Sequence, residues 1–266
     1  MKNFTNQSLL LILILFSGYG YIASCTQDAI SPLPAAASNA PVITRGTDIL
    51  LPKSMTVGDT SAWKLDKAHC NVMWSTNYVG AAGLLTGRFN QFGMHDVTDD
   101  KMLNYVTAGQ PLKDTSWAFY ENEPSKTYFN GYVQINQSNT GEPGRDAGCN
   151  ITTLGTTAIV AGTQNLTVTN LAKIKTTDVK FDPTSNDYIV TLNLTWKGTL
   201  AAPLTKSVVG RLKYIRRNQV QFGTSAAYSV FGFQLKFQLN ARDFGIASTS
   251  ISDKVDIECN MNFNNK

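Results

Sequence analysis

The sequence has few of the residues that most catalytic and metal centres need. It contains only two histidines, His69 and His95, and four cysteines, and it has no Cys-x-x-Cys, no His-x-x-x-His and no Gly-x-Ser-x-Gly motif. His69 and Cys70 are neighbours, and neighbours on a strand point to opposite faces, so they cannot share one metal ion. These absences argue against a hydrolytic triad and a metal centre. We therefore expect a protein that is not an enzyme, with no catalytic residues and no metal.

The chain also has little charge and no basic cluster. Charged residues make up 16% of it, and the formal net charge is +4. A nucleic-acid partner would require several contacts to phosphate groups from clustered Lys and Arg. We therefore expect no nucleic-acid partner.

The N-terminus has the features of an export signal. Lys2 precedes an uncharged run from Leu9 to Phe16, and Ile22-Ala23-Ser24-Cys25 closes the apolar segment. The run is too short for a spanning helix, and the small residues before Cys25 suit cleavage by a signal peptidase. We predict a lipoprotein signal peptide over residues 1–24 and a lipidated Cys25. The chain would then be exported and anchored to a membrane of the bacterial cell envelope, facing the periplasm or the outer surface; an ordinary secretory peptide is the alternative.

Two further regions follow the signal peptide. Residues 25–58 begin with small residues and prolines that cannot bury enough apolar surface to order themselves. They are predicted to form a flexible linker that carries the lipidated Cys25. Residues 59–266 are predicted to form one domain.

The domain has the period-two hydrophobic alternation of β-strands. Phe233, Leu235, Phe237 and Leu239 alternate with polar residues, and the same pattern recurs over 188–196 and 255–263. Turns are predicted at Glu142–Arg145 and Asp182–Asn186, and no long segment has helical spacing. The pattern indicates an all-β antiparallel domain.

An apolar sheet face of this length must pack against another sheet or close on itself. Closure removes exposed edges, and an eight-stranded barrel is just wide enough for side chains or a slender ligand. Trp74, Trp196, Phe233 and Phe237 would form either a packed core or the wall of a lumen. Periodicity leaves both arrangements open.

Five segments resemble the YceI-like family. They are Trp63–Trp74 with Gly87–Phe92, the turn Asn139–Asp146 with its Arg-Asp pair, Leu239–Ile246 with Asp-Phe-Gly-Ile, and Ile251–Val255. They follow the family's order and span about residues 60 to 263. The resemblance implies a single extended lipocalin-like antiparallel barrel of about eight strands, with no catalytic centre, whose apolar pore holds a polyisoprenoid or similar long-chain amphiphile.

The apolar strand faces predict the wall of such a lumen. The predicted ligand-binding residues are Val72, Trp74, Tyr78, Phe89, Leu192, Leu194, Trp196, Phe233, Leu235, Phe237 and Leu239. Arg145 is the candidate for an anionic head at the mouth, and a structural pairing with Asp146 or Asp243 is the alternative.

The sequence departs from the family pattern in three places. The stretch from Gly93 to Tyr128 is longer than the resemblance predicts, Cys70 stands where Ser is usual, and Ala147–Ile151 replaces the family's usual residues. The long stretch, which contains Trp117, Phe119 and Tyr120, would be either a lid over the pore or a surface for protein contacts.

Three cysteines remain if Cys25 carries lipid: Cys70, Cys149 and Cys259. Cys70 and Cys259 share the apolar side of their strands, and a barrel that joins its first and last strands would bring them close. We predict a disulfide between Cys70 and Cys259. The alternative is three free thiols, two of them acting as small core residues.

The sequence thus predicts a lipid-anchored, non-enzymatic carrier for a polyisoprenoid or an isoprenoid quinone. The predicted partners are this amphiphile and, through the lipidated N-terminus, a membrane; a dimer is compatible with the sequence. Two alternatives are an interaction or stress-protective module of the cell envelope with a filled lumen and, less favoured, an enzyme acting on a polyprenyl substrate.

Overall fold

The computed structural model describes residues 42–45, 63–79, 82–107, 116–120, 123–158 and 167–266. Within these ranges there are thirteen strands: β1 (Val42–Arg45), β2 (Lys64–Leu65), β3 (Asn71–Tyr78), β4 (Gly83–Phe89), β5 (Phe92–Gly93), β6 (Trp117–Ala118), β7 (Tyr128–Gln134), β8 (Ser138–Asn139), β9 (Leu171–Asp182), β10 (Asp187–Trp196), β11 (Leu204–Gln221), β12 (Tyr228–Asn240) and β13 (Lys254–Asn264). The helices are α1 (Asp100–Thr107) and α2 (Asn150–Leu154). Residues 1–24 and Cys25 lie outside the described ranges, as does most of the predicted linker, within which β1 pairs with β11.

The chain divides into two compact units. The smaller comprises residues 1–42 and 222–225, and the larger comprises residues 43–221 and 226–266. In the smaller unit the turn at 222–225 is closed by a hydrogen bond of 3.0 Å from the Ser225 amide to the Phe222 carbonyl. The barrel belongs to the larger unit.

The sheet is antiparallel, and its central path runs β5-β7-β9-β10-β11-β12-β13-β3-β4-β8. The all-β antiparallel prediction is therefore confirmed. The path contains ten strands, so the predicted number of about eight is wrong. The path is longer because two stretches each contribute two short strands: β4 and β5 are separated by Asn90-Gln91, and β7 and β8 by a 3-10 turn at Ile135–Gln137.

These broken strands join the two ends of the path. Phe89 of β4 pairs with Ser138 of β8, and Phe92 of β5 pairs with Val133 of β7. Between these pairs the amide of Asn90 donates to the carbonyl of Gln137 at 3.0 Å, and the amide of Gln134 donates to that of Gln91 at 2.9 Å. The sheet therefore curls back on itself at a seam with a kink on each side.

The alternation seen in the sequence places the core inside this barrel. On β12 the residues Phe231, Phe233, Leu235, Phe237 and Leu239 are buried, and the polar residues between Leu235 and Leu239 are exposed or partly exposed. Large apolar side chains on one pleated face favour such strands because they pack against cross-strand neighbours. The predicted turn at Asp182–Asn186 is confirmed, and Asn186 has a φ of 55°.

The predicted turn at Glu142–Arg145 is wrong, because this segment begins a helical stretch. A π-helical turn over Arg145–Cys149 leads directly into α2. The Glu142 carboxylate accepts hydrogen bonds from the amides of Gly144, at 3.1 Å, and Arg145. Proline suits the first turn of a helix as well as it suits a β-turn, and the Glu142 side chain satisfies two amides that the helix itself leaves unpaired.

Candidate functional site

A cavity of about 570 Å³ lies inside the barrel. Ten of the eleven apolar residues predicted for the lumen wall line it: Val72, Trp74, Tyr78, Phe89, Leu194, Trp196, Phe233, Leu235, Phe237 and Leu239. Leu192 does not line the cavity. It is fully buried in the surrounding core, beside an irregularity in the pairing of β10 with β9. The cavity has a size that is usual for pockets that enclose small molecules.

Trp74 is held flat against the wall by two neighbours. Its indole Nε1 donates to the Ser138 Oγ at 2.9 Å, and its ring covers Gly87 on the adjacent strand. A Cβ atom at Gly87 would lie 2.6 Å from the ring. Glycine is therefore required for the ring to lie along the wall and leave the lumen open.

Two hydroxyl groups of the cavity wall are paired inside the protein. The Thr76 hydroxyl donates to the carbonyl of Lys254 at 2.8 Å, and the Ser138 hydroxyl accepts from Trp74. Both hydroxyls already have partners and most of the lining side chains are apolar, so this wall favours an apolar ligand segment.

A loop from Ile246 to Ile251 forms part of the mouth. Ile246, Ser248, Ser250 and Ile251 all line the cavity, and the amide of Val79 donates to the carbonyl of Ser250 at 2.8 Å, which attaches the loop to the end of β3. The mouth therefore lies at the β3–β4 hairpin end of the barrel.

Arg242 holds this loop in place. Its guanidinium donates to the carbonyls of Ile246 at 2.6 Å, Ser248 at 2.8 Å and Ile251 at 2.8 Å. This role of Arg242 was not predicted from the sequence, although Arg242 lies in the segment Leu239–Ile246 that carries the family resemblance. The residue that could have indicated this loop is Gly245. Its φ of 75° ends the 3-10 turn Ala241–Phe244 and turns the chain back toward Arg242.

Arg145 also lines the cavity, next to Glu142 and Gly144. The two predicted structural partners of Arg145 are engaged elsewhere. Asp146 accepts from the amide and hydroxyl of Thr140 at 2.8 to 3.0 Å, and Asp243 forms an ion pair with Lys206 at 3.5 Å. Within the described ranges, no ion pair engages the Arg145 guanidinium, so it is available at the mouth.

The opposite end of the barrel is filled by rings. We call Trp117, Phe119, Phe231 and Phe263 the aromatic plug. Phe231 and Phe263 stack with centroids 4.6 Å apart and an interplanar angle of 7°, and Trp117 lies 4.7 Å from Phe263. Phe119 lies 4.8 Å from Tyr214 and 5.1 Å from Phe233. Tyr214, Phe231, Phe233 and Phe263 lie on inward strand faces, so the plug occupies the lumen.

The long stretch from Gly93 to Tyr128 contributes half of this plug. Trp117 and Phe119 have exposed fractions of 8% and 1%, and β6 pairs with β7 through Trp117 and Phe129. The interpretation of Trp117 and Phe119 as an exposed contact surface is therefore wrong. Their side chains are inside the barrel because β6 extends the sheet and directs them inward.

Cys70 and Cys259 are free thiols, so the predicted disulfide between them is not formed. Cys259 pairs with Val72 across the sheet, whereas the Cys70 Sγ accepts from the amide of Asn262 at 3.0 Å. Burial raises the pKa of Cys70 to about 11 and that of Cys259 to about 12. Cys259 also lines the cavity.

His69 lies outside the cavity wall. It is exposed in the 3-10 turn Lys67–His69, and its Nδ1 lies 2.8 Å from a carboxylate oxygen of Asp66. Across the described ranges, no three His, Cys, Asp or Glu side chains are grouped in a way that could hold a metal ion. No helix in the same ranges is both long and apolar enough to cross a membrane.

Residues 63–263 match the family model described as YceI-like domain. No curated protein matches the chain. Among solved structures, BcnA of Burkholderia cenocepacia is 14% identical, with 75% of this chain and 99% of that chain covered and a TM-score of 0.46. A polyisoprenoid binding domain from Saccharophagus degradans is 12% identical, covering 76% and 97%, with a TM-score of 0.37. The Campylobacter jejuni YceI protein is 14% identical, covering 76% and 97%, with a TM-score of 0.41.

Proposed function

This chain belongs to the YceI-like domain family, and from that premise we propose that it is a non-enzymatic binding protein that carries a polyisoprenoid or an isoprenoid quinone in its lumen. The observation that carries the proposal is the apolar cavity of about 570 Å³, lined by the residues that strand alternation places inside. An apolar tail suits this wall because most of its side chains are apolar and the hydroxyls of Thr76 and Ser138 already have partners.

The energetics favour partial enclosure of the ligand. Each buried methylene contributes roughly 0.8 kcal/mol, and association costs about 4 kcal/mol or more. Enclosing about fifteen carbons is therefore enough for micromolar binding. A complete long polyprenyl chain counted in this way would exceed the practical limit of non-covalent affinity, so part of a long tail would remain outside.

Specificity for the head group is assigned to the mouth. Arg145 lines the cavity there and supports binding of an anionic head such as a phosphate, because guanidinium donors pair with phosphate oxygens in fixed geometry. The neighbouring Glu142 carboxylate is engaged by the amides of Gly144 and Arg145, which reduces its competition for the guanidinium.

The carrier is further proposed to be a lipoprotein of the bacterial cell envelope. The support is the sequence of residues 1–25, with lipidation at Cys25 and residues 25–58 as a tether. Two or more acyl chains give stable anchoring, whereas one gives only marginal binding. An anchored carrier would remain close to the membrane that supplies its ligand.

The proposal is tested by purifying the full chain from a bacterial host, extracting it with organic solvent and analysing the extract by mass spectrometry. We expect a stoichiometric polyprenyl or quinone species. Gly131→Trp should remove this species, because Gly131 lines the cavity and a large side chain there would occupy it. The backbone has room for the substitution, since the atoms nearest to a Cβ at Gly131 lie at 3.5 Å, an ordinary contact distance. Ser207→Trp, on an exposed position of β11, is the matched control.

An empty extract that stays empty after incubation with isoprenoid-loaded vesicles would contradict the carrier function. It would favour the second candidate, an interaction or stress-protective module of the cell envelope. The aromatic plug is the observation behind that candidate, because it fills one end of the lumen with the protein's own side chains.

A further inference from the structure

The aromatic plug limits how far a ligand can enter the barrel. We infer, on the basis of the proposed function, that the plug makes this protein selective for tail length, so that tight binding saturates at about three to four isoprene units. The plug residues Trp117 and Phe119 come from the long stretch that departs from the family pattern, so this selectivity would be a property of this chain.

The cavity ends at Phe233. This residue lines the cavity, and its ring also contacts Phe119 at 5.1 Å, Phe231 at 5.4 Å and Phe263 at 5.7 Å. The four plug residues do not line the cavity. Phe233 is therefore the floor on which a tail would end.

Strand geometry gives the depth of the cavity. On β12 the wall extends from Phe233 to Leu239, and on β3 it extends from Val72 to Tyr78. Six residue steps of a strand span about 20 Å, and strands in a barrel tilt by roughly 40°, which leaves about 15 Å along the axis. An extended chain advances about 1.1 to 1.2 Å per bond, so the lumen accepts about 13 to 14 bonds.

An isoprene unit contributes four bonds to the main chain of the tail. The depth therefore corresponds to about three to four units. A longer straight tail must either displace the plug or leave its end outside the mouth, where it gains no apolar burial.

The aromatic plug is tightly packed. Phe119 and Phe263 each have an exposed fraction of 1%, and Phe119 contacts three inward-facing rings, those of Tyr188, Tyr214 and Phe233, at 4.8 to 5.4 Å. Beneath it, the amide of Asn130 donates to the carbonyl of Ser116 at 2.8 Å and fixes the start of β6. Displacing the plug would expose several large rings that are packed at close-contact distances.

The test is a series of linear isoprenoid alcohols of two, three, four, six and eight units, titrated against the full chain with displacement of a fluorescent lipid probe. For the wild type we expect affinity to rise about tenfold or more with each added unit and to stop rising after the third or fourth. Phe119→Ala should move this limit to longer tails by one unit or more, because it removes the ring packed behind Phe233 and leaves space into which the Phe233 ring can turn.

Phe244→Ala is the matched control. Phe244 is also a phenylalanine with an exposed fraction of 1%, and it packs against the ring of Trp196 rather than the plug. This variant should lose comparable stability without moving the length limit. Phe119→Leu, a smaller change that retains most of the packing, keeps the test available if Phe119→Ala does not fold.

Each result has a distinct meaning. A limit at three to four units that shifts in a folded Phe119 variant supports the inference. Wild-type affinity that continues to rise through eight units, or a limit that does not move when the plug is opened, overturns it while leaving the carrier function intact. No binding of any alcohol by the folded wild type overturns the carrier function itself.

Discussion

The two ends of the barrel are built from the same strands and the same alternating pattern, yet one end is packed and the other is open. On β12, Phe231 stacks in the plug, whereas Phe237 and Leu239 face the cavity. The difference comes from outside these strands, since Trp117 and Phe119 fill the space at one end only. An alternating apolar face therefore specifies which side chains point inward, but not whether they meet a partner there.

The largest expected effect is on stability at the packed end. Phe263→Ala should lower the free energy of unfolding by about 3 to 5 kcal/mol, because it leaves a cavity among three close rings. Phe237→Ala at the open end should cost less, since its side chain borders the cavity and is not enclosed by other rings of the described ranges. Urea unfolding of both variants measures the difference, and equal losses would break the comparison between the two ends.

Gly87→Ala should have the next largest effect, and this effect should be confined to the open end of the barrel. The added methyl would lie 2.6 Å from the Trp74 ring, so the ring must rotate into the lumen, at a cost of about 1 to 3 kcal/mol. We expect a shifted tryptophan emission spectrum and weaker binding of the probe. Gly148→Ala serves as the control, since a Cβ atom there would have no neighbour within 4 Å. Unchanged binding in Gly87→Ala would mean that the wall tolerates a turned ring.

Arg242→Ala tests whether the loop at the mouth is held in one conformation or is mobile. Its three bonds to loop carbonyls are charge-assisted but partly solvated, so we expect a loss of about 1 to 2 kcal/mol. Amide hydrogen exchange over residues 246–251 should accelerate, while exchange in β12 near the plug stays slow. Arg242→Lys should rescue little, because an ammonium group lacks the planar fork of donors. Unchanged exchange in the loop would contradict the role of Arg242.

Cys70 and Cys259 report on the two ends of the barrel with the smallest perturbation. Cys259 lines the cavity, whereas Cys70 contacts Asn262 near the plug. A thiol reagent should label both slowly at neutral pH, because burial raises both pKa values. A bound isoprenoid alcohol should slow labelling of Cys259 and leave Cys70 unaffected. Protection of both cysteines, or of neither, would place the ligand elsewhere.

These pKa values also give the sign of a pH effect on stability. The unfolded chain loses the thiol proton of Cys259 near its ordinary pKa of 9.0, and the folded chain near about 12. The stabilisation is therefore complete below pH 9 and is lost as the pH rises from about 9 to about 12. Cys259→Ala should reduce this part of the alkaline loss in thermal unfolding curves recorded across that range.

Much of the wall could be predicted from the sequence because strand alternation is a local property. It placed Phe233 to Leu239 on one face, and the same rule reached Trp74 and Leu194. The rule wrongly placed Leu192 in the wall, because Leu192 shares a face with Leu194 but is enclosed by the core. It also missed the interruptions that break β4 from β5 and β7 from β8, since these depend on the seam they form together.

The remaining differences come from packing between distant segments. The sequence around Trp117 and Phe119 contains no alternation long enough to indicate an inward direction, and their burial depends on rings from β10, β11, β12 and β13. Pro143-Gly144 is equally compatible with a β-turn and with a helix start, and the Glu142 cap favours the helix. Arg242 is an ordinary exposed arginine until the loop after Gly245 folds back toward it.

The position of β13 in the sheet bears on when the protein can fold. Lys254–Asn264 is the last strand in the chain, yet it lies between β12 and β3, so Cys259 pairs with Val72 from the first part of the domain. Pairings this distant in sequence are slow because a long loop must close first. During synthesis the barrel cannot form until residue 264 has left the ribosome. A precursor destined for export, as proposed for this chain, would thereby stay unfolded long enough to pass through a translocation channel as a linear polypeptide.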